Sequence, residues 1–397
     1  MGSNNRQAEI RGANKPGVGK ILRQYSMIII LVLIAILFHF LTNGLIFTPI
    51  NLTNLILQNS YIVLLILGML PVILTGNVDL SVGSVLAFIG ALSAVLMQSG
   101  IGVIPAVILC LLAGIAIGCW QGFWISRFDI PPFIVTLSGE LVFRGLTQII
   151  LDGKSIPIND AGFRTMAGGY IPEPIGTMGG FRTTTLILAA VACVIYVVSQ
   201  VRARQQKAAH GVPVKSVWLT VASSVVISAV VLYLSVQMAT ANGYPIVLFI
   251  MLALCLLYNF ICNRTIFGRS LYAVGGNRKA AALSGIKDRR TMFLAYANMG
   301  LMAAVAGLVY AARSAVATPK AGVGYELDAI AACYVGGASV HGGAGSIAGA
   351  LVGCFVIAIL NNGMSMMGAS PDLQQTIKGL VILAAVAIDL VPKMKKK

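Results

Sequence analysis

Charged residues are what this sequence has least of. They make up 10% of its 397 residues, while 58% are hydrophobic. Soluble domains carry about 25% charged residues. A soluble fold would have to bury several apolar helices of about 20 residues, so the scarcity points to a polytopic membrane protein. Acids are scarcer than bases: 12 Asp and Glu stand against 28 Lys and Arg, a net charge of +16. Such an excess can signal nucleic-acid binding, but here the cations gather in short clusters beside apolar runs. That placement sets orientation in a membrane and excludes a nucleic-acid stripe.

Reactive groups are also missing. The three histidines, His39, His210 and His341, are scattered and form no site. The seven cysteines lie in or beside apolar runs, are odd in number and include no CxxC pair. That excludes a disulfide framework or a zinc site and leaves small packing residues. No Ser/His/Asp set or carboxylate pair argues for catalysis. No phosphate loop is spelled out either. Gly153-Lys154-Ser155 has Gln148 where the first glycine belongs, and Gly19-Lys20 is followed by Ile21. The GxGxxA spelling from Gly343 to Ala348 follows no soluble strand. The chain has no nucleotide site of its own.

What is present is a succession of long apolar runs. They predict an all-α polytopic membrane protein with about ten transmembrane helices, within a range of eight to twelve, since Gly-rich tracts can hold broken helices. Residues 1–23 read as a disordered basic cytosolic arm, 24–392 as the transmembrane domain and 393–397 as a basic cytosolic tail. Alternating the spans from an inside N-terminus puts 21 of the 28 Lys and Arg inside and five outside. This asymmetry places both termini in the cytosol.

Between two apolar halves lies a polar island, residues 263–290. It holds seven Lys and Arg and one acid, Asp288. Its centre, 278–283, reads as a short helix closed by Ser284 and Gly285, a shape suited to being offered to a partner. The topology puts the island in the cytosol.

Two features hint at a doubled architecture. Gly114, Gly118 and Gly122 recur every four residues, as do Gly345, Gly349 and Gly353. This spacing lets helix backbones approach closely in lipid. Residues 79–84 and 338–346 are similar polar breaks, each leading into an apolar helix. Corresponding broken helices in two halves are a transporter pattern, although close packing of glycine helices would give the same stripes.

A few polar groups stand out against the apolar background. Asp79, with Asn77 and Ser81 beside it, either caps the next helix or serves a pathway or gate. Glu140 and Arg144 are four residues apart inside one span. Unpaired charges there cost at least about 2.5–3.5 kcal/mol each, so the two, which can pair at this spacing, are expected to face protein or a water-filled path, as a pore lining or as a clamp between helices. Glu326 and Asp328 precede an apolar run and either cap it or line the outer mouth.

Several motifs together resemble one family. Gly76-Asn-Val-Asp-Leu-Ser-Val-Gly-Ser84, Pro132-Phe-Ile-Val-Thr-Leu137, Tyr272-Ala-Val-Gly-Gly-Asn277, Leu283-Ser-Gly-Ile286 and Gly342-Gly-Ala-Gly-Ser-Ile-Ala-Gly349 look like the permease subunits of bacterial monosaccharide ABC importers. The added length around 203–238 is most similar to the xylose-type or multiple-monosaccharide branch. The resemblance implies a homodimer of permeases in the bacterial inner membrane. It implies a separate cytosolic ABC ATPase that binds ATP and Mg, so that this chain carries no cofactor. It also implies an extracytoplasmic sugar-binding protein, and no nucleic-acid partner. The family's coupling segment matches 275–290, assigning ATPase coupling to Gly275, Gly276, Asn277, Lys279, Ala281, Leu283, Ser284, Gly285 and Arg289. Asn77, Asp79, Ser81, Glu140, Arg144, Glu326 and Asp328 are the pathway or gating candidates. Lys279 departs from the Glu common in relatives, and Ala282 from a basic residue, which leaves the charge pairing with the ATPase open. The competing hypothesis is a self-sufficient proton-coupled secondary transporter, with Glu140 or Asp79 carrying protons.

Overall fold

The computed structural model describes residues 18–211 and 216–394. Most of the expected arm and the last three residues of the expected tail lie outside this range. The chain is almost wholly helical. We number the helices α1 (Val18–Leu41), α2 (Pro49–Leu74), α3 (Val82–Gln98), α4 (Val103–Phe128), α5 (Pro132–Ile150), α6 (Ala161–Gly168), α7 (Thr183–Ala209), α8 (Val217–Ala239), α9 (Ile246–Arg264), α10 (Ile266–Gly276), α11 (Arg278–Leu283), α12 (Asp288–Ser314), α13 (Tyr325–Val335), α14 (Ile347–Met366) and α15 (Pro371–Met394). Eight of those described are long and apolar enough to cross a membrane, namely α2, α4, α5, α7, α8, α9, α12 and α14. Met27–Leu41 and α3 are shorter apolar helices. Helix α1 begins at Val18, inside the stretch expected to be a disordered arm.

The core forms around α2 and α12. The apolar window of α2 is 89% buried, against 11% for α7 and α8, which separates a central helix from two peripheral ones. Lipid offers helices no hydrophobic reason to associate, so close van der Waals packing of small residues must hold them. Gly114, Gly118 and Gly122 of α4 lie against α12 at Gly300, Tyr296 and Phe293, where an added Cβ would meet backbone atoms. Gly349 and Gly353 of α14 lie in the same way against Gly336 and Ala332 at the end of α13. Gly345 instead precedes α14, beside Ala338 and Leu70. Polar pairs supplement the packing. The side-chain amides of Asn51 on α2 and Asn362 on α14 exchange two hydrogen bonds, of 2.9 and 3.0 Å.

The long link 152–182, which has no apolar run long enough to span, holds the short helix α6. Asp160 caps it by accepting the Phe163 amide at 2.8 Å, and Phe163 and Ala167 are buried beneath it. Two short strands, β1 (Ile156–Pro157) and β4 (Val316–Ala317), pair antiparallel and tie this link to the segment leaving α12. A second small hairpin joins β2 (Thr177–Met178) to β3 (Phe181–Arg182).

Two helices are interrupted. α2 ends at Leu74, and the chain runs through 75–81 before α3. α13 ends at Val335, and a tight loop leads to α14. Both interruptions fall at the polar breaks of the sequence.

Candidate functional site

The two breaks and the island meet at one end of the bundle. The Gly343 amide donates to the Leu74 carbonyl at 2.9 Å, joining the second break to the end of α2. Gly275 of α10 lies directly on that bond. A Cβ there would collide with the Leu74 carbonyl oxygen and stand 2.5 Å from the Gly343 nitrogen. A Cβ at Gly343 would sit 2.8 Å from the Gly276 backbone. The Tyr272 hydroxyl adds a bond to the Gly345 carbonyl at 2.9 Å. Three glycine-bearing segments therefore touch through their backbones, and only glycine permits the approach.

From this junction the chain enters α11. Asn277 caps it, accepting the Ala280 amide at 3.0 Å. The helix closes in a Schellman motif: Gly285 adopts φ +83°, its amide donates to Ala282 and the Ile286 amide to Ala281, both at 3.0 Å. Ala281 is buried and anchors the helix, whereas Leu283 is 91% exposed. Lys279, Ser284 and Arg289 face solvent as well. Beside the turn, a groove of about 430 Å³ opens between α10 and α12, with Phe267, Ile286 and Leu294 on its walls and Lys287 and Arg290 at its edge.

Arg278, which opens α11, donates to Asp288 at 2.7 Å and to Asp129 at 2.8 Å; Arg289 reaches Asp129 at 3.4 Å. The Arg278 hydrogen bond holds the Asp129 carboxyl below its ordinary value, and Asp129 in turn raises Arg278. These groups are 24–57% exposed, so each pair contributes at most about 1 kcal/mol. No motif in the sequence marks Asp129. Its signal is scarcity: it is one of very few acids on a side crowded with cations.

Deeper in the bundle the first break is tied down by polar groups. Asp79 does not cap α3 directly. It accepts the Ser81 amide at 2.9 Å and the Ser81 hydroxyl at 2.6 Å, a local turn that leads into the helix. Ser81 in turn accepts from Gln121 of α4 at 2.7 Å, and the Tyr296 hydroxyl donates to the Val78 carbonyl at 3.3 Å. Asp79, Ser81 and Gln121 are all at most 1% exposed. Asn77 lies nearer the island end, bonded to the Thr75 hydroxyl at 3.0 Å. Sequence spacing gave no hint of Gln121, because its partner stands 40 residues away.

The Glu140–Arg144 pair that the spacing permits is not among the ion pairs of the described residues. Arg144 instead donates to the carbonyls of Ala321 at 2.5 Å and Pro319 at 3.3 Å. The loop before α13 has carbonyls with no helical partner, and an unmet acceptor in a membrane costs several kcal/mol. That demand outweighs a weak i,i+4 pair. Gly83 at the start of α3 abuts Gly322 of the same loop and the Glu326 carboxylate. Asp328 caps nothing; it pairs with Lys378 of α15 at 2.9 Å.

This last pair gives a direct prediction. Removing one member of a fully buried pair costs about 3–5 kcal/mol, less here because Lys378 keeps 23% exposure. Lys378→Met should lower the melting temperature in detergent by about 5 °C. Adding Asp328→Asn should recover most of the loss, since no unpaired charge then remains.

Comparison with known proteins places the chain. It is 35% identical to the xylose transport system permease protein XylH of Escherichia coli K12 over 375 residues, 94% of this chain and 93% of that one. It is 36% identical to XylH of Haemophilus influenzae over 378 residues, covering 94% and 98%. The ribose import permease protein RbsC of Bacillus subtilis is 34% identical over 343 residues, 86% and 85%. No solved structure matches the chain. A family profile covers residues 51–386, and with it the α2–α3 break, the island and the second break. The chain is a multi-pass membrane permease and belongs to the family described as the branched-chain amino acid transport system / permease component.

Proposed function

We propose that this protein is the membrane-spanning subunit of an ATP-driven monosaccharide importer of the bacterial inner membrane, with a pentose such as xylose as its cargo. Two copies form the pathway. A separate ATPase binds ATP and Mg and docks on the island from the cytosol, and an extracytoplasmic binding protein delivers the sugar. The relatives named for xylose and ribose, aligned over nearly their whole length, support this class of cargo.

The observation that carries the reading is the placement of α11. An exposed leucine on a short capped helix is a surface suited to a protein partner, and the glycines just before it abut both helix breaks. A push on α11 therefore arrives where the spans are weakest. The charge inventory favours a neutral cargo over an amino acid. Arg144 on α5 and Lys378 on α15 are already engaged by carbonyls and by Asp328, which leaves neither free for a substrate carboxylate.

Uptake of radiolabelled xylose and ribose by cells with and without this gene, and with and without the gene of the partner ATPase, is the test. Uptake should vanish when either is lost. Uptake that persists without the ATPase overturns the reading in favour of a proton-coupled carrier, in which Glu140→Gln would stop transport.

A further inference from the structure

The corner between α4 and α5 is built on one acid. Asp129 has φ 53° and ψ 29°, a left-handed conformation that reverses the chain just before Pro131 and Pro132 open α5. Asp tolerates that conformation better than most residues, so helix capping alone accounts for its backbone. It does not account for where the carboxylate goes. Oδ1 accepts from Arg278, the first residue of α11, at 2.8 Å, and Oδ2 accepts from Arg289, in the first turn of α12, at 3.4 Å. One carboxylate thus spans both flanks of α11. Arg278 also reaches Asp288, stitching the two flanks to each other. Of the seven cations in the island, Arg278 and Arg289 are the ones with acid partners among the described residues. Beneath the carboxylate is a gap of about 140 Å³ lined by Thr75, Asn77, Ile130, Pro132 and Val274. Across that gap side-chain packing is incomplete, and charge makes the connection.

The chain beyond Asp129 is stiff. Two consecutive prolines restrict the backbone, and α5 then carries Gly139 against Ser81 and Arg144 onto the loop before α13. We infer that Asp129 is a positioning residue that transmits movement of α11 to α5, and through Arg144 to the loop before α13. The inference rests on the importer reading and adds to it a second route for the motion, separate from the glycine junction. Energetic coupling between its members is the signature of such a route.

The test uses the complete complex of permease, ATPase and binding protein in proteoliposomes, and reads radiolabelled xylose moved per ATP hydrolysed. Asp129→Asn keeps the size of the side chain and tolerates the left-handed backbone but removes the charge. It should lower the ratio on the order of fivefold while hydrolysis continues. Asp129→Glu should restore most of the ratio. Arg289→Gln should shift it in the same direction, and the double variant Asp129→Asn with Arg289→Gln should be no worse than Asp129→Asn alone. A ratio within about twofold of wild type for Asp129→Asn, or losses that multiply in the double variant, overturns the inference. If Asp129→Asn fails to assemble, Arg289→Gln decides alone, and an unchanged ratio overturns the inference. A wild-type complex that moves no sugar overturns the importer reading together with it. A coupled wild type beside a coupled Asp129→Asn removes only the positioning role.

Discussion

Gly275→Ala should cut sugar uptake by more than about tenfold, while Gly276→Ala leaves it within about twofold of wild type. The two glycines are neighbours in one helix, so propensity and hydropathy treat them alike. Their surroundings do not. A Cβ at Gly275 enters the space of the Leu74 carbonyl and the Gly343 amide, the atoms that bond the two breaks together. Neither atom belongs to a flexible side chain that can swing away, so the backbones must separate. Overpacking of this kind costs about 1–3 kcal/mol. A Cβ at Gly276 has nothing within 4 Å. Uptake by both variants, with size-exclusion chromatography to confirm assembly, checks the prediction. Equal activity of the two would mean that the junction does not have to stay closed for transport.

Gly285→Pro should separate ATP hydrolysis from uptake without preventing insertion. The position needs φ +83°, and its amide donates to Ala282. Proline fixes φ near −65° and has no amide hydrogen to donate. The Schellman turn is lost, and the Ile286 amide moves away from Ala281. α11 then leaves its seat while the flanking apolar helices, which drive insertion, are untouched. Uptake should fall by more than about tenfold with hydrolysis persisting, whereas Gly285→Ala, which pays only the left-handed penalty of about 1–2 kcal/mol, should keep part of the activity. Normal uptake by Gly285→Pro would remove the island from the mechanism.

The sequence made the outline of the molecule legible because membranes impose long, coarse signals. Length and apolarity mark α2, α4, α9 and α12, and the polar island stands out because such a segment cannot reside in hydrocarbon. The local motif of Ser284 and Gly285 ends α11 where its chemistry requires. Tertiary partnerships are another matter. Glu140 and Arg144 have the spacing of a pair, yet Arg144 serves carbonyls about 175 residues away, because an orphaned acceptor in lipid costs more than an intrahelical pair returns. Asp79 looks like a helix cap, but its acceptor oxygen serves the Ser81 turn. The meeting of Leu74, Gly275 and Gly343 is invisible in one dimension, since nothing in three separate glycine-rich segments says that they touch. Asp129 is hidden for the same reason: its partners come from the far side of the chain.

The central claim is that a partner ATPase seats on α11 and drives the helix breaks from there. Labelling of Leu283→Cys tests it most directly. The native cysteines are buried or half-buried, whereas Leu283 is 91% exposed, so a bilayer-impermeant maleimide should react with the introduced thiol first. In the isolated permease, labelling should be fast. In the assembled complex it should be strongly protected, and the protection should change when ATP and Mg are added. Equal labelling rates in the isolated permease and the assembled complex would contradict the account.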